Sequence, residues 1–142
     1  MKSLQLIPFA LILLTFTISC SSSETPKTTP ESETVETVAS YTDLTQDEFK
    51  AMEANLPDDV VILDVRTDAE VADGMIDGAI QIDFRGSNFK NEIALLDTSK
   101  TYVVYCRSGG RSAAASKIMA EELGFNNVKN LLGGYLGYSS EN

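Results

Sequence analysis

Short β-branched runs that alternate with helical patterns fill the second half of this chain. Residues 60–65 (VVILDV) form a continuous aliphatic run, which is typical of a strand covered on both faces. The other predicted strands are residues 79–83, 101–105 and, more weakly, 128–132. The first predicted helix begins after Thr45 and ends before Pro57. Two more predicted helices cover residues 87–96 and 110–123. Because strands alternate with helices, we predict a single α/β domain with a mainly parallel central sheet flanked by helices.

Composition excludes several classes of function. The 142 residues include 11 Lys and Arg against 21 Asp and Glu, a formal net charge of −10, and no histidine. Affinity for nucleic acid needs clustered cations, so nucleic acid is not a predicted partner. Without imidazole, Ser-His-Asp and Cys-His hydrolases and histidine-based metal sites are excluded. Two cysteines cannot form a disulfide framework or a four-thiolate zinc site, so we predict no metal.

The N-terminus predicts export. Lys2 precedes a short apolar run over residues 6–18, and Cys20 follows a small residue. This end resembles the lipobox of bacterial lipoproteins. The resemblance implies a signal peptide over residues 1–19, cleaved before Cys20, with Cys20 carrying lipid in the cell envelope and the domain facing the periplasm or the exterior. A plain signal peptide cut nearby, or an uncleaved anchor, is the alternative.

Residues 20–40 are mostly Ser, Thr, Glu and Pro. Such a segment buries too little apolar area to offset its ordering entropy, so we predict a disordered tether. The remaining residues, 41–142, are enough for one domain with a single core.

One loop combines the features of an anion-binding cradle. It follows the strand predicted at residues 101–105 and precedes a predicted helix, which places it at the carboxyl end of a parallel strand. Its glycines let successive N–H groups point inward, and the helix adds its N-terminal donors. The predicted catalytic residue is Cys106, and the predicted anion-binding residues are Arg107, Ser108, Gly109, Gly110, Arg111 and Ser112.

Cys106 is the candidate nucleophile of this loop. Backbone donors and the flanking Arg107 and Arg111 favour the thiolate over the thiol. Thiols in such settings have pKa values lowered from about 8.5 into a range of roughly 3.5 to 7.5. This activation needs no histidine. The alternative is a structural cysteine buried in a tight turn.

Three sequence elements together resemble the rhodanese-like domain family. They are the loop CRSGGR, the pattern Asp64-Val65-Arg66 with Glu70 and residues 74–79, and the pair Gly133-Gly134. The resemblance covers about residues 41–138. Met75 stands where the family usually has His, and Tyr135 and Tyr138 lie where Trp is common.

The resemblance implies that Cys106 accepts a sulfane sulfur as a persulfide while the backbone of Arg107 to Ser112 holds an anionic donor. Asp64, Arg66 and Glu70 are implied as supporting residues behind the loop. No metal or organic cofactor is implied. If Cys20 is lipidated, Cys106 is the only free thiol, so an external thiol acceptor or reductant is a predicted partner. Oligomeric state is not predicted.

Loop length distinguishes two chemistries known for this fold. Cys106 to Arg111 spans six residues, the size of rhodanese-like sulfurtransferases, whereas related phosphatases have one residue more. We therefore predict a ping-pong sulfurtransferase that moves sulfur from a donor such as thiosulfate to a thiol or cyanide. The alternatives are a phosphatase or arsenate reductase on the same cradle and a non-catalytic binding module.

Overall fold

The fold is known from a computed structural model, which describes residues 40–140. The predicted signal peptide, Cys20 and nearly all of the predicted tether lie outside these residues. The strands are β1 (Thr42–Leu44), β2 (Val60–Asp64), β3 (Ile80–Gln81), β4 (Thr101–Tyr105) and β5 (Asn127–Leu131). The helices are α1 (Gln46–Glu53), α2 (Asp68–Val71), α3 (Phe89–Ile93), α4 (Gly110–Lys117) and α5 (Gly134–Ser140), and a π-helical segment, Ile118–Glu122, continues α4. Within this part of the chain, no helix has the length and apolarity needed to cross a bilayer.

The five strands form one sheet in the order β1-β5-β4-β2-β3, and every neighbouring pair is parallel. The predicted α/β fold with a parallel central sheet is therefore confirmed. β4 lies in the middle, between β2 and β5, and its residues from Tyr102 to Tyr105 are buried. Its carboxyl end leads directly into the loop that contains Cys106, at the edge of the sheet where ligand sites form in such folds.

The core lies on both faces of the sheet. Side chains of a strand alternate between faces, so Tyr102 and Val104 pack into one cluster while Val103 and Tyr105 pack into the other. The first cluster also contains Met119 from the π-helical segment. Both clusters hold β4 in place, which fixes the position of the loop that follows it.

Local signals placed most of the predicted element boundaries within one residue, although β3 covers only two of the five residues predicted at 79–83. Thr45 and Glu48 form the predicted capping box at the start of α1, although that helix ends at Glu53 rather than before Pro57. The helix predicted at residues 110–123 is α4 with its π-helical continuation, and Gly124 follows with a φ of +72°. The predicted helix at residues 87–96 is shorter, because Phe89 N–H binds the Gly86 carbonyl in a turn at its start.

Three short elements are absent from the sequence prediction: β1, α2 and α5. Each spans between three and seven residues, which is too short to show a clear periodic pattern. β1 is an edge strand that pairs with β5, and α2 begins with a capping box between Thr67 and Glu70.

Helix α5 holds the outer side of the Cys106 loop. The N–H groups of Tyr135 and Leu136 donate to the carbonyls of Cys106 and Arg107, at 2.8 and 3.0 Å. In a trans peptide the carbonyl and the next N–H point in opposite directions, so these bonds turn the following N–H groups towards the inside of the loop. Gly134 permits the contact, because a Cβ there would overlap the Cys106 carbonyl oxygen.

We expect Gly134→Ala to destabilise the protein more than Gly78→Ala. Both glycines have positive φ, +54° and +74°, but a Cβ at Gly78 meets nothing within 4 Å. Left-handed backbone alone costs an alanine roughly 1–2 kcal/mol, which is the loss of unfolding free energy expected for Gly78→Ala. Gly134→Ala adds the overlap with the loop, so its loss in urea unfolding should be at least about twice as large. Equal losses would contradict the role of α5.

Candidate active site

Cys106 lies at the carboxyl end of β4 with its side chain enclosed by the loop. The residue is 1% exposed, and its Sγ accepts a hydrogen bond from the Gly109 N–H at 3.2 Å. Gly109 has a φ of +101°, a left-handed conformation that suits glycine, and it is the N-cap residue of α4. The loop therefore curls around the sulfur and leads straight into the N-terminus of a helix.

The pKa of the Cys106 thiol is lowered by hydrogen bonds. Burial alone would raise it, but the Ser112 hydroxyl and the backbone N–H groups of Ser112, Ser108 and Gly109 stabilise the thiolate more strongly. These groups are neutral donors, supplemented by the positive end of the α4 dipole. These donors favour the thiolate, relative to an ordinary cysteine, without an imidazole.

A buried polar chain positions Ser112 beside the sulfur. Ser112 Oγ lies 3.6 Å from Cys106 Sγ, 3.0 Å from the Gly109 carbonyl oxygen and 2.7 Å from Asn130 Oδ1. Asn130 Nδ2 donates to Asp43 Oδ1 at 2.8 Å, which fixes the amide so that its oxygen faces Ser112. A hydroxyl has only one proton to donate, so the Gly109 carbonyl, Asn130 and Cys106 compete for it.

Sequence analysis did not identify Asn130 or Asp43. The available signal was a polar residue within an otherwise aliphatic strand, since Asn130 is 2% exposed in the centre of the fold. Their link to Cys106 depends on the pairing of β1 with β5, which no local pattern shows.

Glu70 holds Arg111 through two short hydrogen bonds. Arg111 Nη1 and Nη2 donate to the two carboxylate oxygens at 2.8 and 2.6 Å. Glu70 also accepts from the hydroxyl and N–H of Thr67 in the capping box of α2. Arg111 above all, together with Thr67, lowers the pKa of Glu70 to about 2. Arg111 is therefore fixed in place, and most of its charge is balanced by Glu70.

Asp64 and Arg66 form a buried pair away from the sulfur. Arg66 Nε and Nη2 donate to the Asp64 carboxylate, with the shortest distance 2.6 Å, and the side chains are 3% and 0% exposed. Arg66 Nη2 also donates to the Gly74 carbonyl at 2.7 Å, and its Cζ lies 4.0 Å from the centre of the Tyr135 ring. This pair ties the end of β2 to the 74–76 segment and to α5.

The segment around Met75 is held without a histidine. Arg66 binds the carbonyl of Gly74, and the Ile76 N–H donates to the Tyr105 hydroxyl at 3.1 Å. The Tyr135 hydroxyl packs against Gly74, where a Cβ would be only 2.6 Å away. Arginine and tyrosine side chains thus fix the backbone on both sides of Met75.

The loop opens onto a cleft of about 520 Å³. The residues that line it are Thr67, Glu70, Arg85, Arg107, Ser108 and Arg111. Three of these belong to the loop around Cys106, so the cleft borders that loop. Sequence analysis did not identify Arg85, which lies 21 residues before Cys106 and outside every motif.

The predicted site residues fall into distinct places. Around the sulfur the structure brings together Cys106, Ser108, Gly109 and Ser112. Arg111 pairs with Glu70, Arg107 is exposed in the cleft, and Gly110 starts α4. Asp64 and Arg66 support the surrounding backbone, and Cys20 lies outside the described residues.

We expect Ser112→Ala to raise the pKa of the Cys106 thiol, because the thiolate loses a hydrogen-bond donor. Ser116→Ala is a matched control: it lies one turn later in α4, is equally buried, and its Oγ has no hydrogen-bond partner within residues 40–140. The pKa can be followed by thiolate absorbance against pH in a Cys20→Ser background. A shift of the same size in both variants would rule out a specific contribution from Ser112.

Comparison with known proteins points to one family. The model of the Rhodanese-like domain family matches residues 45–141. A relative from Bacillus subtilis with sulfurtransferase in its name is 39% identical over 84 residues, covering 59% of this chain and 78% of that protein. A protein of Allochromatium vinosum named "Sulfurtransferase" is 34% identical over 82 residues, covering 58% of this chain and 74% of the relative.

A solved structure shares the fold. The crystal structure of a rhodanese-related protein from Thermoplasma volcanium superposes with a TM-score of 0.60 at 29% identity, covering 71% of this chain and 93% of that one. The family match spans the sheet, the Cys106 loop and α5. This chain therefore belongs to the rhodanese-like domain family.

Proposed function

We propose that this protein is a sulfurtransferase that carries a sulfane sulfur as a persulfide on Cys106. The observation that carries the proposal is the enclosure of Cys106 Sγ by N–H and hydroxyl donors that lower its pKa. A thiolate is the form that attacks sulfur. The names of the two sulfurtransferase relatives support the same reaction class.

The first half of the reaction takes sulfur from a small anionic donor such as thiosulfate. The Cys106 thiolate attacks the outer sulfur of the donor and forms a new S–S bond. The S–S bond of thiosulfate breaks, and sulfite leaves with its electron pair. The persulfide anion that remains occupies the same ring of donors that stabilised the thiolate, with the Ser108 and Gly109 N–H groups beside it.

The second half regenerates the enzyme. An acceptor thiolate, or cyanide, attacks the terminal sulfur of the Cys106 persulfide and releases the Cys106 thiolate. Cys106 is the free cysteine within the described residues, so the acceptor comes from outside that part of the chain. The resulting kinetics are ping-pong.

The small loop favours sulfur transfer over phosphoryl transfer. Six residues from Cys106 to Arg111 place the Gly109 N–H 3.2 Å from the sulfur, a tight ring around one atom. Phosphate ester hydrolysis also requires a general acid for the leaving oxygen. The carboxylate that lines the cleft, Glu70, is bound by Arg111 and has a pKa of about 2, so it carries no proton to give at neutral pH.

We also propose that Cys20 is lipidated and that the domain is tethered to the bacterial envelope. The apolar run of residues 6–18 and the position of Cys20 support this. Metabolic labelling with a palmitate analogue should mark the wild-type protein and fail to mark Cys20→Ala. Label retained by Cys20→Ala would contradict lipid attachment at this residue.

The substitution Cys106→Ser should abolish transfer of sulfur from thiosulfate to cyanide, because a hydroxyl at this position cannot form the persulfide. Only the uncatalysed rate measured in buffer should remain. Cys20→Ser is the matched control, since it removes the other cysteine of the chain, and it should keep the wild-type rate. Formation of thiocyanate measures both.

Hydrolysis of an aryl phosphate by the same preparations tests the competing reaction. Thiocyanate formation that survives Cys106→Ser would overturn the proposal. So would a wild-type protein that hydrolyses the phosphate ester and forms no thiocyanate.

A further inference from the structure

The cleft beside the Cys106 loop is lined by two arginines that pair with no carboxylate in the described part of the chain. The chain has four arginines: Arg66 is bound to Asp64 and Arg111 to Glu70. Within residues 40–140, the guanidinium groups of Arg85 and Arg107 make no ion pair and no hydrogen bond. Both are exposed, and both line the same cleft.

The charge of the cleft is opposite in sign to the net charge of the chain. The chain has a formal net charge of −10, yet the residues lining the cleft include three arginines and one carboxylate, Glu70. The cleft is thus locally cationic on an acidic protein. A locally cationic cleft attracts anions that the overall charge repels.

The loop that carries Arg85 is ordered by its own backbone contacts. Asp83 Oδ1 accepts the Arg85 N–H at 2.8 Å, and the Asp83 carbonyl accepts the Gly86 N–H at 2.9 Å. The turn fixes the backbone of Arg85 at the cleft and leaves its guanidinium free of internal contacts. Such a group is available to a ligand at little cost in backbone entropy.

The size of the cleft exceeds the need of a small inorganic donor. A volume of about 520 Å³ lies within the range of roughly 300–1,000 Å³ that is typical of sites for organic ligands. Thiosulfate has five heavy atoms and would leave most of that space to water. The remaining volume fits an organic molecule that carries anionic groups towards Arg85 and Arg107.

On the basis of the proposed function, we propose that Arg85, together with Arg107, selects carboxylate-bearing low-molecular-weight thiols as sulfur acceptors. Guanidinium groups bind carboxylates through paired hydrogen bonds, which makes arginine suited to this recognition. The acceptor loses its thiol proton to solvent, and its thiolate attacks the terminal sulfur of the Cys106 persulfide. The products are an organic persulfide and the Cys106 thiolate.

Alkylation of Cys106 tests the recognition without any sulfur transfer. Iodoacetate and iodoacetamide differ by a carboxylate against an amide, and the Cys106 thiolate attacks the CH2 carbon of either reagent and displaces iodide. In full-length Cys20→Ser protein, Arg85→Gln should lower the ratio of the iodoacetate rate to the iodoacetamide rate, by about tenfold for one lost charged contact. Lys90→Gln is the control: Lys90 is exposed, pairs with Glu122 and does not line the cleft, so the ratio should stay at its starting value.

The acceptor itself is tested with N-acetylcysteine and N-acetylcysteine amide on thiosulfate-loaded protein. Arg85→Gln should reduce kcat/KM for the acid relative to the amide, again by about tenfold, and Lys90→Gln should leave that ratio unchanged. An unchanged ratio in Arg85→Gln, or an equal loss for both reagents, would overturn carboxylate recognition. If the alkylation ratio falls while no sulfur is transferred, the proposed function fails and the anion recognition by Arg85 stands.

Discussion

A buried thiolate loses its contacts with water, so hydrogen bonds from the protein have to replace them. At Cys106 this requirement determines how the surrounding loop and helices are arranged. The sulfur is almost fully enclosed, and the donors that stabilise it belong to the loop and to the first turn of α4. Among them, the Ser108 N–H points inward because Leu136 of α5 binds the preceding Arg107 carbonyl from outside, while Tyr135 binds the Cys106 carbonyl. The Gly134 that allows this contact lies 28 residues after Cys106, so the chemistry of the loop depends on a distant segment.

The arginines fall into two groups: some hold the backbone around the site, and others line the cleft where a ligand could bind. Arg66 is buried with Asp64 and contacts Gly74 and Tyr135, so it holds the backbone around the site together. Arg111 is fixed by Glu70 at the rim of the loop. Arg85 and Arg107 line the cleft and form no ion pair with any residue between 40 and 140. Arginine therefore occurs in the core, at the rim of the loop and in the cleft. Whether an arginine supports the fold or is available to a ligand depends on whether a carboxylate binds it.

The sequence predicts well those features that are local. The aliphatic runs of β2 and β4 identify the centre of the parallel sheet, and the position of Cys106 between a strand and a helix places the loop at its carboxyl edge. Arg85 and Asn130 could not be found in this way. They come from other segments, and their relation to the sulfur depends on how the chain folds around the sheet. The sequence does not show the role of α5 for the same reason. Its residues have no helical pattern, and it acts through backbone contacts with the Cys106 loop.

Whether Cys106 carries the sulfur is decided by the mass of the protein before and after treatment with thiosulfate. The peptide that contains Cys106 should gain one sulfur atom. Cyanide or a thiol should remove that gain, and Cys106→Ser should never acquire it. If the Cys106 peptide of the wild-type protein keeps its mass in excess thiosulfate, although the thiol reacts with iodoacetamide, Cys106 does not carry sulfur.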